Sequence, residues 1–300
     1  MPNTLSSLSF KYREEPSNTN TEVAMFVTIS MLVSLAILGL IYTLSQQKHS
    51  AQQRKFELLV CLREVLALCR QHRSLTHQTL SQLGLGQQGM TQQGQIHLQD
   101  LQQHLLEKSE QLIQIAHFDN RPSYRILQNS LKKVLNEWSQ ANVSKNQRLH
   151  GKLIRHCMYL MDDVVLAWLA ESGREELSDE YHMNWQQIFD AMETLTQLRL
   201  CIDDTRNENN GLRIRHYCEL MQRKLNQLAL ISPLTLGSPV CSSAMRQLNE
   251  VTDNTHVELE SDALYQLSSE LSSTIAQVYD HMLNDLVESL YHPLPQLVVA

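Results

Sequence analysis

The sequence predicts an all-α protein: a single N-terminal transmembrane helix followed by an antiparallel helical bundle, either one bundle or two stacked bundles. Three observations carry this. Only nine glycines and seven prolines interrupt 300 residues. The stretch Val23 to Leu44 holds 22 residues without a charge. Later segments repeat apolar residues in alternating steps of three and four, the period of a buried helix face, and none reads as a strand series.

Taken in order, residues 1–21 are polar and read as a disordered tail. "VAMFVTISMLVSLAILGLIYTL" would form a helix about 33 Å long, enough to cross a hydrocarbon core of about 30 Å. Glu14, Glu15 and Glu22 precede it, the wrong sign for a cleaved signal peptide, and no A-x-A site follows. Residues 22–45 therefore read as a permanent single-pass anchor. Lys11 and Arg13 lie before it, against Lys48, Arg54, Lys55 and Arg63 after it. Positive charge favours the cytoplasm, so residues 46–300 are expected there, tethered to the inner (cytoplasmic) membrane. Six cysteines without a C-x-x-C pair agree with a reducing compartment and read as buried thiols.

After the anchor the chain can continue helically to about Leu83. Gly84 to Gln95 has four glycines in twelve residues and reads as a flexible loop. A second helix is expected over about 96–117, broken near Pro122, and a third over about 123–141 with Ile126, Leu127, Leu131, Val134, Leu135 and Trp138 on one side. "SKNQ" has capping-box spacing, so Ser144 is expected to open the fourth helix, whose seam is His150, Leu153, Cys157, Leu160, Val164 and Ala167. "ESGREELSDE" turns the chain into a fifth helix, about 181–205. A sixth follows over about 212–231 and ends at "SPLTLGSP". The last, about 258–292, repeats Leu264, Leu267, Leu271, Ile275, Val278, Met282 and Leu286 before Pro293 and Pro295.

Two seams contain an arginine where a core residue belongs. The first soluble helix reads Leu59, Leu62, Leu66, Cys69, Arg73, Thr76, Leu80, Leu83; the fifth reads Trp185, Ile188, Met192, Leu195, Arg199, Ile202. An unpaired buried guanidinium costs several kcal/mol. Three arrangements would relieve that cost. Each side chain could reach out to water along its aliphatic stem. Asp162, Asp163, Asp203 or Asp204 could pair with it internally. The two heads could instead face one cavity and clamp a small planar oxyanion with their fixed donor forks.

"LLVCLREVLALCRQHRSLTHQTL", Leu58 to Leu80, resembles the first helix of the nitrate- and nitrite-sensing domain, a helical sensor module of bacterial chemoreceptors, histidine kinases and transcription antiterminators. Where family members carry basic-Arg-Gly-Leu/Ser, this chain has His72, Arg73, Ser74 and Leu75. "NQRLHGKLIRHCMYLMDDVV" and "WQQIFDAMETLTQLRL" resemble later helices of the same domain, so the resemblance spans about residues 56–232. Ser74 replaces the usual glycine, and Leu200 stands where a small residue is common. The resemblance implies a helical bundle holding nitrate or nitrite between arginines on two helices, here Arg73 and Arg199. Thr76, one turn beyond Arg73, and His72 beside it are further candidate ligand contacts.

No phosphate-loop, zinc-protease or nucleophile-elbow motif occurs, and no catalytic residue, cofactor or metal site is expected. His72 and His77 are five residues apart, off one helical face. The net charge of −7 argues against a nucleic-acid partner. No output segment follows the helices, so signalling would pass through a separate output protein. Ser30 and Ser34 allow a homodimer within the membrane. The rival expectation is a membrane-tethered helical scaffold that binds no ligand.

Overall fold

The computed structural model describes residues 18–84, 90–202, 210–233, 237–253, 261–291 and 294–295. These residues are all-α, with no strand among them. Among the described residues eight α-helices follow one another: α1 (Asn18–Gly84), α2 (Gln92–Ile115), α3 (Arg121–Glu137), α4 (Val143–Ser172), α5 (Ser178–Ile202), α6 (Asn210–Leu228), α7 (Pro239–Asp253) and α8 (Ser261–Leu290). The chain divides into two compact units, Met1–Ala51 and Gln52–Ala300.

The described part of the first unit is the leading stretch of α1. Its apolar side chains are bare: Phe26, Met31 and Leu32 are each about two-thirds exposed or more, at 72%, 67% and 66%. A helix that is apolar all round and covered by nothing is long and apolar enough to span a membrane. Helix α1 begins at Asn18, inside the stretch expected to be an irregular tail.

In the second unit the seams read from the sequence largely face inward. Leu59, Leu62, Leu66 and Cys69 of α1 are buried, as are Trp185, Ile188, Met192 and Leu195 of α5 and Leu264 to Met282 of the α8 series. The α1 seam ends at Thr76, because Leu83 is 52% exposed. Ala167, Ile126 and Leu212 also lie outside the core. Helix α5 packs on α4, α6 and α8, α2 on α3, α3 on α4, and α7 on α6 and α8. Polar bonds tie α1 to three helices: Lys108 of α2 pairs with Glu64, Lys55 reaches α4 at Ala167 O and Glu171, and Arg63 meets Asp280 of α8 at 2.9 Å. Helices α1 and α8 run antiparallel, since rising numbers on one (63, 73, 77) meet falling numbers on the other (280, 272, 265).

Several boundaries differ from the expected ones, each for a local reason. Helix α2 starts inside the expected glycine loop, at Gln92, because Thr91 caps it by accepting from the Gly94 N–H at 3.2 Å. The remainder of that loop, 85–89, lies outside the described residues. Asn142 rather than Ser144 caps α4, its Oδ1 accepting from Lys145 N at 2.7 Å. Gly173 closes the same helix in the left-handed conformation, φ 65°, which glycine adopts without a Cβ penalty. Helix α5 starts at Ser178, where Asp179 and Glu180 in the first turn suit a helix start, a little ahead of the span expected, and α8 ends at Leu290, a little short of it. Helix α7 was not foreseen at all. It buries only Cys241, Ala244, Leu248 and Val251, a short and mostly small-residue face. All six cysteines are buried and free.

The cap assignment has a direct test. Asn142→Ala should lower the stability of the chain by about 1 kcal/mol in urea denaturation, whereas Ser144→Ala should change it by no more than about 0.5 kcal/mol.

Candidate functional site

Both seam arginines stay inside. Arg73 is 7% exposed and Arg199 is 4% exposed. Each points at α8, where "LSSELSS" places Ser268 and Ser272 four residues apart on one face. Arg199 donates from Nε to Ser268 Oγ at 3.0 Å and from Nη2 to the Ser268 carbonyl at 2.8 Å. Arg73 donates from Nη2 to Ser272 Oγ at 3.3 Å, while its Nε is buried with no hydrogen-bond partner. The two cationic heads therefore meet α8 on consecutive turns, about 6 Å apart along its axis. Burial pushes the Arg73 guanidinium below its ordinary pKa, and Tyr265 beside it offsets part of that.

No described carboxylate pairs with Arg73. Of the acids considered from sequence, Asp163 is exposed, and Asp162 lies against Tyr181, its carboxyl pushed up by burial. Asp203 and Asp204 lie outside the described residues. The contrast along the same helix pair is informative. Arg63, 5% exposed, has an ion pair with Asp280. Ten residues on, Arg73 meets a neutral serine at the equivalent place on α8.

His77, on the face of α1 toward α8, stacks on Tyr265 with ring centroids 3.3 Å apart and planes 8° from parallel. Gln147 of α4 donates to its Nδ1 at 2.9 Å and lies 3.3 Å from the Tyr265 hydroxyl. That bond makes Nδ1 the acceptor, so Nε2 carries the proton, 3.4 Å from Ser81 Oγ. Burial, then the charges of Arg199 and Arg73, push His77 down to about 4. It is a neutral ring beside both cations.

Behind this layer runs a second polar chain with its tautomers fixed. A carbonyl can only accept, so His150 Nδ1–H donates to Asn146 O at 2.9 Å and its Nε2 is bare. His72 Nδ1–H then donates to that Nε2 at 2.8 Å, leaving His72 Nε2 to accept from the Gln102 amide at 3.1 Å. Protonating His150 would set two donors face to face. Burial accordingly pushes His72 down to about 4, and burial with the neighbouring His72 pushes His150 down to about 3.

Of the residues singled out from sequence, the structure brings Arg73 and Arg199 to the same stretch of α8. Thr76 lies between the layers: its hydroxyl bonds back to His72 O at 2.7 Å and accepts from Asn146 Nδ2 at 3.0 Å. His72 turns toward α2 and α4 rather than α8. Ser74, the departure from the family pattern, is exposed, and Leu200 is half-buried. The sequence reading passed over Ser268, Ser272, Tyr265, Asn146 and Gln147. A signal was present in the tandem "LSS" repeat of α8 and in Asn146 standing one turn before His150. A surface cleft of about 290 Å³ lies elsewhere, lined by Leu177, Glu180, Tyr181, Met282 and Asp285 among others, and neither arginine lines it.

No known protein family, curated protein or solved structure matches the chain.

The histidines set a pH dependence. Their folded-state values lie below the unfolded value of 6.5. Below that value the unfolded chain therefore binds more protons, and acid favours unfolding. Stability should hold above about pH 6.5 and fall as pH drops toward about 4, by at most about 1.4 kcal/mol per pH unit for each histidine. Urea midpoints at pH 7, 6 and 5 should trace this fall, and His150→Gln should flatten it.

Proposed function

We propose that this chain is a membrane-anchored sensor of a small oxyanion, nitrate or nitrite being the ligands suggested by the resemblance to the sensing domain. In this reading residues 22–45 anchor the chain in the inner membrane, and residues 46–300 form an antiparallel helical bundle on the cytoplasmic side. One observation carries the proposal: Arg73, buried without a described carboxylate and with an orphaned Nε, shares one stretch of α8 with the equally buried Arg199. An anion beside Arg73 would give its fork a charged acceptor and offset the repulsion of like charges in a medium of low dielectric.

The surrounding groups suit such a guest. Ser268, Ser272 and Gln147 offer neutral hydrogen bonds, and His77 supplies a neutral wall. Helices α1 and α5 each carry one arginine of the pair, Arg73 and Arg199. An anion that binds better with the two helices drawn together therefore shifts the population toward that arrangement. The movement would pass along α1 or into a separate output protein. A scaffold that binds no ligand is the second reading, favoured by the two hydrogen bonds with which Ser268 already holds Arg199.

Thermal unfolding of the full chain in micelles separates the two. Millimolar sodium nitrate, nitrite or formate, compared with chloride at equal ionic strength, should stabilise a sensor, by about 2.7 kcal/mol at a hundredfold excess over Kd. The gain should vanish in Arg73→Ala and Arg199→Ala. No response to any anion supports the scaffold.

Arg73→Leu adds a sharper readout. It restores the residue type that the seam calls for and removes a buried cation. Without anion, its stability should equal or exceed that of the wild type, by about 1 kcal/mol or more, with no anion response. A substantially lower melting point would mark a purely structural arginine.

A further inference from the structure

Ser272 meets Arg73 with a neutral hydroxyl and no described carboxylate joins it, and the pattern at Ser268 suggests what the two serines are for. Arg199 uses its Nε and Nη2 edge on a single residue, taking the hydroxyl and the carbonyl oxygen of Ser268. Two oxygens side by side on one guanidinium edge is the pattern that a carboxylate or nitrate presents. The Ser268 carbonyl lies inside α8, where the helical ladder also claims it. The Ser268 hydroxyl donates to Tyr265 O at 2.7 Å, so its lone pairs face the arginine. Arg73 donates a long bond, 3.3 Å, to the Ser272 hydroxyl on the next turn, with Tyr265 beside it.

We infer that Ser268 and Ser272 of α8 occupy the seat of the oxyanion in the empty protein, and that the ligand enters by displacing these oxygens from the two guanidiniums. This rests on the oxyanion reading above and adds which element yields. A charge-assisted bond is roughly twice as strong as a neutral one, so an anion outcompetes serine oxygens on both forks. The ligand class follows from the vacated geometry: a small planar monoanion with two oxygens on one edge. Helix α8 loses its polar grip on α1 and α5 at this level, while its ion pair to Arg63 at Asp280 lies two turns away and is untouched. Ligand binding thus loosens one stretch of α8 and leaves the rest anchored.

The test uses the full chain in micelles, with sodium nitrate as probe and sodium chloride at equal ionic strength as reference. Hydrogen–deuterium exchange should quicken in peptides covering residues 264–276 when nitrate is added, while peptides around Arg73 and Arg199 slow. Ser272→Ala removes the oxygen that competes for Arg73, so the apparent Kd for nitrate should fall about threefold to tenfold, the factor corresponding to one net hydrogen bond. If nitrate stabilises the protein but slows exchange in 264–276, or if Ser272→Ala weakens binding, the serines are ligand contacts that stay in place. The displacement is then wrong while the oxyanion reading stands. If nitrate, nitrite and formate all leave the wild-type melting point unmoved, both fall together. The exchange measurement needs no variant, so a poorly folding Ser272→Ala leaves the displacement open to refutation.

Discussion

Two guanidiniums that cannot lose their protons are held in one dry layer, and the arrangement of neighbouring side chains follows from that constraint. Arg73 and Arg199 carry fixed charge at any accessible pH. His77 sits beside both cations and is driven down to about 4. His72 and His150 lie toward α2 and α4, where burial keeps both neutral and a carbonyl at Asn146 dictates the tautomer of each ring in turn. Thr76 turns its hydroxyl back on its own helix and presents its lone pair to Asn146. His77, His72 and His150 are thus neutral rings packed close to buried cations.

Helix α1 shows two solutions to one problem. At Arg63 the charge is met by a carboxylate on α8, with a further bond to the Pro295 carbonyl at 3.2 Å. That position is complete, and it joins helices. At Arg73 the partner helix offers a hydroxyl, and the Nε finds nothing. Arg70, between them on the same helix, shares this feature, its Nε also buried without an acceptor. The two positions differ in what α8 carries opposite each one: a carboxylate at Asp280, a hydroxyl at Ser272.

Much of this was legible in the sequence. The three-and-four spacing located α1 to α6 and α8 and picked out Arg73 and Arg199 as misfits, because helical periodicity records which face turns inward. It does not record what that face meets. Ser268 and Ser272 are flanked by Leu267 and Leu271, so the apolar series absorbed them as surface residues. His150 read as one more position of the α4 seam, since only its pairing with His72 on another helix makes it a relay. Helix α7 escaped for a different reason: a face with Cys241 and Ala244 among its four buried side chains gives a weak apolar period. Asn142 and Ser144 are both good cap residues, and only the position of the Lys145 N–H decided between them.

The tandem repeat in α8 has a mechanical consequence. Leu267 and Ser268 recur four residues later as Leu271 and Ser272. A slide of the helix along its axis by one repeat, about 6 Å, would bring leucine back to the leucine slot and hydroxyl back to the arginine slot. This segment alone therefore specifies alignment only modulo one turn. Two features that do not recur break the degeneracy: the Tyr265 ring against His77 near one end and the Asp280 carboxylate against Arg63 toward the other. They act as stops on an otherwise indexable rod.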